Sequence, residues 1–313
     1  MTEIMSFSNA PDARTLGRVA GALAVDEAFV EKDWYVIQAI RLLLSLESDG
    51  ITPIFSGGTA LLKGHALIKR FSEDIDFKLA LTPAFLEKSG SQRRKALGQF
   101  KDALVAIWTD AGFMVGDVVA RDSNGFIQIE LAYPSLLDGH DALRPHILAE
   151  FSDKPPRLPN LQKPLSSFVS QYRALSPEIP AIGCVDPVET AADKLSAFTW
   201  RVLARDRTSE SDDPTIVRHI HDLAALEQVV MDREEFPALL SETLLADAYR
   251  GGGVLKDLTP KTGMEKMLAT LDADTGYVTD YDGGMAFAGE AEVPTYSHAR
   301  LTLARLCALL PDR

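Results

Sequence analysis

Cysteine is almost missing from this chain: Cys184 and Cys307 are its only two. That scarcity excludes a disulfide-built scaffold and a cysteine-ligated metal site, and it fits a reducing cytoplasm. The six histidines do not fall into a zinc-ligand spacing either, and His219 and His221 diverge on a helix. No apolar run approaches the length of a membrane span, and the N-terminus lacks a basic-then-apolar leader. The expectation is a cytoplasmic protein with no membrane role. Basic residues are also in deficit, 32 Lys and Arg against 45 Asp and Glu, for a net charge of −13. A protein that holds nucleic acid by neutralising phosphates is usually basic. Any such contact here has to come from a local patch, and Lys88, Arg93, Arg94, Lys95 and Lys101 are the best candidates. The plainer reading of those residues is a solvated helix face.

What is present is an ordinary globular balance, 46% hydrophobic and 25% charged over 313 residues, enough for one large or two modest domains. Residues 11–50 read as helices, 51–55 as a buried strand, 59–69 as a helix and 73–79 as a strand. Residues 83–111 read as one or two helices. Residues 113–119 and 125–133 read as paired strands around Asp122-Ser123-Asn124-Gly125, and 146–151 as a further strand. Four prolines in 153–165 suggest an extended linker. Residues 182–185 form a last strand candidate. Asp186-Pro187 then caps a helix to residue 204, since Asp suits the cap and Pro the first helical position. Helices follow at 216–231, 234–250 and 297–310. Residues 251–297 read as irregular loops with short elements. Asp272, Asp274, Asp280 and Asp282 lack the ligand spacing of a calcium loop and read as solvated acidic turns. The chain shows no internal repeat.

The most informative stretch is Phe55-Ser56-Gly57-Gly58-Thr59-Ala60-Leu61-Leu62-Lys63, followed by Arg70-Phe71-Ser72-Glu73-Asp74-Ile75-Asp76-Phe77. It reads as strand, glycine turn, helix and strand. Residues two apart on a strand share a face, so Asp74 and Asp76 project together while Ile75 and Phe77 enter the core. Two such carboxylates repel each other unless a cation lies between them. Hard divalent cations take oxygen ligands and commonly share their shell with water and substrate phosphate. Gly57-Gly58 lets main-chain N–H groups approach an anion at the positive end of the next helix. Thr59 and Lys63, one helical turn apart, are candidates to touch the same anion; for Lys63 a surface position is the alternative. Ser72 shares the face of Asp74, and Arg70 either supports this strand or contacts phosphate. A phosphate cradle beside a carboxylate pair is the layout of a nucleotidyl-transfer site.

The full string from Gly57-Gly58-Thr59-Ala60-Leu61 to Arg70-Phe71-Ser72-Glu73-Asp74-Ile75-Asp76 resembles the AbiEii-type nucleotidyltransferases. These are the toxins of bacterial toxin–antitoxin and phage-defence systems, within the DNA polymerase β-like superfamily. The resemblance implies an α+β fold. A nucleotidyltransferase mixed-sheet core with N-terminal helices is expected over 1–165, and a mainly helical C-terminal domain completing the cleft over 166–313. It also implies a catalytic metal set, Mg²⁺ with Mn²⁺ as a substitute, on Asp74, Asp76 and a third carboxylate from a neighbouring strand. Glu130, between Ile129 and Leu131, is the candidate third; a solvent-facing strand residue is its alternative. Glu31-Lys32-Asp33-Trp34-Tyr35 resembles a recurring family element. Either Lys32 or Asp33 leans over the site, or they form a surface ion pair with Trp34 in the core.

Further along, Glu189-Thr190-Ala191-Ala192-Asp193-Lys194-Leu195-Ser196-Ala197 resembles the family block that gives a lysine to the triphosphate. This marks Lys194, with Arg201 seven residues on and on the same helix face. Arg218-His219-Ile220-His221-Asp222-Leu223 resembles the last block, except that His219 stands where many relatives carry an Asp. Asp222 matches the second Asp and either serves the nucleotide site or braces Arg218. The resemblance implies an NTP substrate, an RNA acceptor such as a tRNA 3′ end, and a cognate antitoxin. Transfer to a small molecule or a protein hydroxyl stays open on the acidic balance. A catalytically silent, partner-binding member stays open on His219.

Overall fold

The computed structural model of the chain describes residues 7–140, 142–283 and 294–311. Two compact units divide between Val185 and Asp186. The expected division after residue 165 comes before that point, and the strand at Ile179–Cys184 lies in the first unit's sheet.

In the first unit, Asp12 and Asp26 accept the N–H groups of Thr15 and Ala28 at 2.8 Å each. These caps start α1 (Ala13–Leu23) and α2 (Glu27–Leu44). Helix α2 is buried nearly all round from Ala28 to Ile40, which makes it an internal element rather than an amphipathic cover. The strands are β1 (Ile51–Ser56), β2 (Ile75–Leu81), β3 (Met114–Arg121), β4 (Phe126–Ala132), β5 (Ile147–Ser152), β6 (Leu161–Leu165) and β7 (Ile179–Cys184). They form one mixed sheet in the order β3-β4-β5-β2-β1-β7-β6. Strand β2 runs antiparallel to β1 and parallel to β5.

Between the strands lie α3 (Gly57–Thr59), which continues as a π-helical turn over Ala60–Gly64, then α4 (Pro83–Leu86), α5 (Gly90–Ala111) and α6 (Phe168–Tyr172). One sheet face carries Phe55, Phe77 and Phe151, with successive ring centroids 5.3 Å apart. Phe100 and Trp108 of α5 pack on Phe151 from that side. Trp108 also donates from Nε1 to the Ala39 carbonyl at 3.0 Å, joining α5 to α2. Strand β6 replaces the expected linker. It is an edge strand, and Pro164 falls at its register shift between Lys163 and Leu165, where a missing N–H is tolerated.

The second unit is helical: α7 (Pro187–Ala204), a 3₁₀ turn at Pro214–Val217 leading into α8 (Arg218–Met231), then α9 (Phe236–Ala246), α10 (Pro260–Ala273), α11 (Gly276–Gly283) and α12 (Tyr296–Ala308). Helix α7 packs against α8, α9 and α10, and α12 against α8 and α10. Asp186 caps α7 through Val188 N at 2.9 Å, with Pro187 in its first turn as expected. The irregular region expected at 251–297 instead contains α10 and α11. Thr259 caps α10 through Thr262 N at 3.2 Å, again ahead of a proline. Residues 284–293 of that stretch lie outside the described residues. The acidic residues read as solvated turns are mostly arginine partners. Asp280 lies 2.8 Å from Arg205 and 2.9 Å from Arg207, Asp274 also holds Arg207, and Asp272 lies 2.8 Å from Arg300.

Candidate active site

Strand β1 ends at Ser56, and the chain turns at Gly57 with φ of +72°. A Cβ at Gly57 would stand 1.9 Å from Asp76 Oδ2, so glycine is required both by the backbone and by the carboxylate beside it. A Cβ at Gly58 would meet Ser72 Oγ at 2.6 Å and Arg70 Nη2 at 3.0 Å. The two glycines thus let the turn lie directly against the segment that carries Ser72, Asp74 and Asp76. Thr59 is fully buried and donates its hydroxyl proton to the Asp74 carbonyl, with Ser72 Oγ 3.0 Å away. Its side chain ties the turn to the acidic strand and does not face an open cleft, against the expectation of a phosphate contact. Arg70 is buried and donates to the Phe71 carbonyl at 3.1 Å, which makes it a support of this segment.

The strand register decides which acids meet. Ser56, Asp76, Glu150 and Gln128 stand abreast across β1, β2, β5 and β4. Partners across a sheet share a face, and so do residues two apart. Asp76 and Glu150 are therefore direct neighbours on the face opposite the phenylalanines, with Asp74 just before β2. Glu130 pairs with Leu148, one row away and with β5 between it and β2. A Cβ on Gly116 of β3 would lie 3.2 Å from Glu130 Oε2, so this carboxylate leans toward the outer strand. His146 Nε2 is 3.6 Å from Glu130 Oε1, an ion pair only when the imidazole is protonated. The neighbouring-strand carboxylate beside Asp76 is Glu150, not Glu130. Its signal in the sequence, Ala149-Glu150-Phe151, is the same acid between apolar residues that marked Glu130. Strand pairing alone separates the two.

Helix α2 frames this site with three consecutive buried charges. Glu31 accepts from Leu136 N at 2.7 Å and from Ser135 Oγ at 2.5 Å, fixing the chain after β4. Lys32 pairs with Glu73 and donates to the carbonyls of Arg144 and His146 at 2.6 and 2.9 Å. Burial pulls its pKa down, against the upward pull of Glu73. Asp33 pairs with Lys63 and accepts from Phe168 N at 2.6 Å. Lys63 also donates to the Ser166 carbonyl at 3.2 Å and lies over the Phe168 ring, 3.6 Å from its centroid. Burial pushes the Asp33 carboxyl up and the Lys63 ammonium down. Lys63, expected at the anion, is instead an internal strut between α2, the π-helical turn and α6. Lys32 and Asp33 likewise hold the backbone around the site. Trp34 is buried as expected.

Arg144 is a residue that sequence reasoning missed. It donates from its main-chain N–H to Glu73 Oε2 at 3.1 Å and from Nη1 to Asp74 Oδ1 at 3.2 Å. The basic run lies elsewhere. Arg93, Arg94 and Lys95 are exposed at the start of α5, where Asn124 donates to the Arg94 carbonyl at 2.9 Å. That places them behind the sheet, at the end of the strands away from Asp74. In the second unit, Lys194 Nζ is 2.8 Å from Asp222 Oδ2, and Asp222 is fully buried. The lysine of one expected block is thus the partner of the aspartate of the next. Arg201 stands 4.0 Å from Asp213 and its guanidinium lies over the Trp200 ring at 5.4 Å.

All the donors around Asp76 are hard oxygens, a set that suits Mg²⁺ or Mn²⁺ rather than a softer metal. Among the described residues, no group of three or more His, Cys, Asp or Glu side chains is gathered to hold a metal by itself. A small ion bound here would need further oxygens, which a triphosphate can supply. Among the described residues, no helix is long and apolar enough to cross a membrane.

Comparison with protein families matches residues 41–274 to the family described as nucleotidyl transferase AbiEii toxin, type IV toxin–antitoxin system. The matched stretch begins after the Glu31–Asp33 charges and covers the glycine turn, the acidic strand and α7 to α10. Among solved structures, the MenT4 nucleotidyltransferase toxin of Mycobacterium tuberculosis H37Rv is similar, with a TM-score of 0.58 and 17% identity over 97% of this chain and 90% of that one. At that identity the likeness speaks for the fold. Comparison with curated proteins finds no match.

Proposed function

The chain belongs to the AbiEii nucleotidyl transferase toxin family of type IV toxin–antitoxin systems, and from that premise we propose that it transfers a nucleoside monophosphate from an NTP to the 3′ end of an RNA, with a tRNA as acceptor. The observation that carries this reading is the row of Asp76 and Glu150, with Asp74 beside it, packed against the Gly57-Gly58 turn. In the transfer, the acceptor hydroxyl oxygen forms a bond to the α-phosphorus, the bond from that phosphorus to the β-phosphate oxygen breaks, and pyrophosphate leaves. Asp74, Asp76 and Glu150 would hold Mg²⁺ or Mn²⁺. When bound, such an ion supplies charge neutralisation and eases loss of the hydroxyl proton.

The main-chain N–H groups of Gly57 and Gly58 orient a phosphate, and the Ser72 hydroxyl lies beneath them. Thr59 fixes the turn to the strand, and the Glu31–Asp33 charges fix the loops around it. Positioning and charge stabilisation supply most of the catalysis in phosphoryl transfer, so these rigid supports matter to rate. In the second unit, Asp222 orients Lys194 through a 2.8 Å ion pair, and Lys194 and Arg201 are the cations there that suit a phosphate. Family membership in a toxin–antitoxin system implies an antitoxin partner, and the net charge of −13 suits a basic surface on it.

The same net charge favours a second reading, in which the acceptor is a small molecule or a protein hydroxyl. The test is incubation of the purified chain with each α-labelled NTP, Mg²⁺ and total RNA. Label is expected in RNA of tRNA size, and it should disappear with a chelator or in Asp74→Ala. Label in a small molecule or in protein would establish the second reading. Label in no fraction, with any NTP, would sink the transfer reading itself.

A further inference from the structure

Arg144 joins a fixed main chain to a movable head. Its N–H donates to Glu73 Oε2 at 3.1 Å, and its carbonyl accepts from Lys32 Nζ at 2.6 Å. Lys32 and Glu73 pair with each other, and their side chains are 0% and 6% exposed. The Lys32 ammonium spends its three protons on Glu73, the Arg144 carbonyl and the His146 carbonyl, so it has none left for a ligand. The Arg144 side chain, by contrast, is 46% exposed, and its guanidinium rests on Asp74 Oδ1 at 3.2 Å. It is a strong cation on an acid that the proposed function gives to a metal.

We propose that Arg144 is the built-in counter-ion of the carboxylate site, pairing with Asp74 and passing to the triphosphate when a divalent cation arrives with the nucleotide. The inference rests on the reading of Asp74, Asp76 and Glu150 as metal-binding carboxylates. A guanidinium cannot lose its proton in a protein, so it cannot make way for a metal by becoming neutral. It has to move. Its pair with Asp74 is half-exposed, which makes displacement cheap. A divalent cation on Asp74 would repel it. The anion delivered by the same event is a triphosphate, whose oxygens match the guanidinium fork. The anchored main chain keeps the head within one side-chain length of Asp74 throughout. Arg144 then discourages metal binding without nucleotide and favours the two together.

The test titrates the full chain with Mn²⁺ alone, read by electron paramagnetic resonance, and then with α,β-methylene analogues of the four NTPs at saturating Mn²⁺. Arg144→Ala is expected to bind Mn²⁺ alone about tenfold more tightly than the wild type, and the preferred analogue about tenfold more weakly. Arg144→Lys should fall between the two in both titrations, and all three proteins should melt together. Unchanged or weaker Mn²⁺ binding in Arg144→Ala, or unchanged analogue binding, would overturn the counter-ion assignment while the metal site stands. Wild-type protein that takes up no Mn²⁺ with or without analogue, or Asp74→Ala that keeps wild-type Mn²⁺ affinity, would overturn the metal reading and this inference with it.

Discussion

Two acid–base pairs in the first unit use motif residues and end in opposite situations. Asp33 and Lys63 are each 2% exposed, and both have further partners: the Phe168 N–H for Asp33, and the Ser166 carbonyl and Phe168 ring for Lys63. Asp74 and Arg144 are 31% and 46% exposed, and the contact between them is open to water. An enclosed pair held by several fixed partners cannot exchange them without leaving a buried charge, so it acts as a fixed strut. A half-open pair exchanges partners at small cost. The first kind shapes the site and the second kind is available to act in it.

Removing one acid from each pair's neighbourhood separates the two kinds most sharply. Asp76→Asn should lower nucleotide transfer by at least about 100-fold while the melting temperature stays near that of the wild type. Asp33→Asn should instead cost about 3–5 kcal/mol of stability, because it strands the buried Lys63 ammonium. The double variant Asp33→Asn/Lys63→Met should recover much of that loss. A stable Asp33→Asn protein would show that the enclosed pair is no strut. An Asp76→Asn protein with wild-type transfer would remove the acidic row from the mechanism.

A smaller effect tests the register. Glu150→Gln should reduce transfer about 10–100-fold, whereas Glu130→Gln should stay within about twofold of the wild type. The opposite ranking would return the third carboxylate to Glu130 and place the catalytic centre nearer β3.

The contrast between enclosed and open charges also marks what the sequence could tell. The order strand, glycine turn, helix, acidic strand was legible because period-two alternation fixes the face of Asp76, and a double glycine before a helix signals a close approach. The helix starts at Asp186-Pro187 and the turn at Asp122–Gly125 were legible from local turn and cap chemistry. Strand β6 was hidden because a proline at an edge-strand irregularity looks the same in sequence as a proline in a linker. Helix α10 was hidden by the Gly and Asp around it, although Thr259-Pro260 carried the same kind of start signal as Asp186-Pro187. Glu150 went unnoticed beside Glu130 for a long-range reason: both acids sit between apolar residues, and only the strand pairing tells which one stands beside Asp76. Lys63 was misread because a lysine one turn after a phosphate-type loop looks solvent-directed until Asp33, thirty residues earlier in the chain, is known to meet it.

An intermediate case in the second unit sharpens the comparison with the smallest expected effect. Glu227 on α8 is 13% exposed and holds Arg305 of α12 through two contacts, one of them Nη2 to Oε2 at 2.8 Å, and accepts from Thr302 Oγ1 at 2.9 Å. The Arg305 hydrogen bond, with help from Thr302, holds its carboxyl below the ordinary 4.5. The unfolded chain then binds this proton more readily than the folded one. The stabilisation is complete above pH 4.5 and is lost as pH falls through the folded value. Asp33 titrates with the opposite sign, because burial pushes its carboxyl above 3.8 and the folded chain keeps the proton longer than the unfolded one. Glu227→Gln should therefore melt below the wild type at neutral pH by the equivalent of about 1 kcal/mol or less, since Arg305 is half-exposed and its charge is screened by water. Melting curves of both proteins taken from pH 7 down to pH 3 should converge as Glu227 is protonated in the wild type. A gap that stays constant over the whole range would mean that the Gln variant loses packing and not charge, and that the α8–α12 pair belongs with neither the strut nor the exchangeable kind.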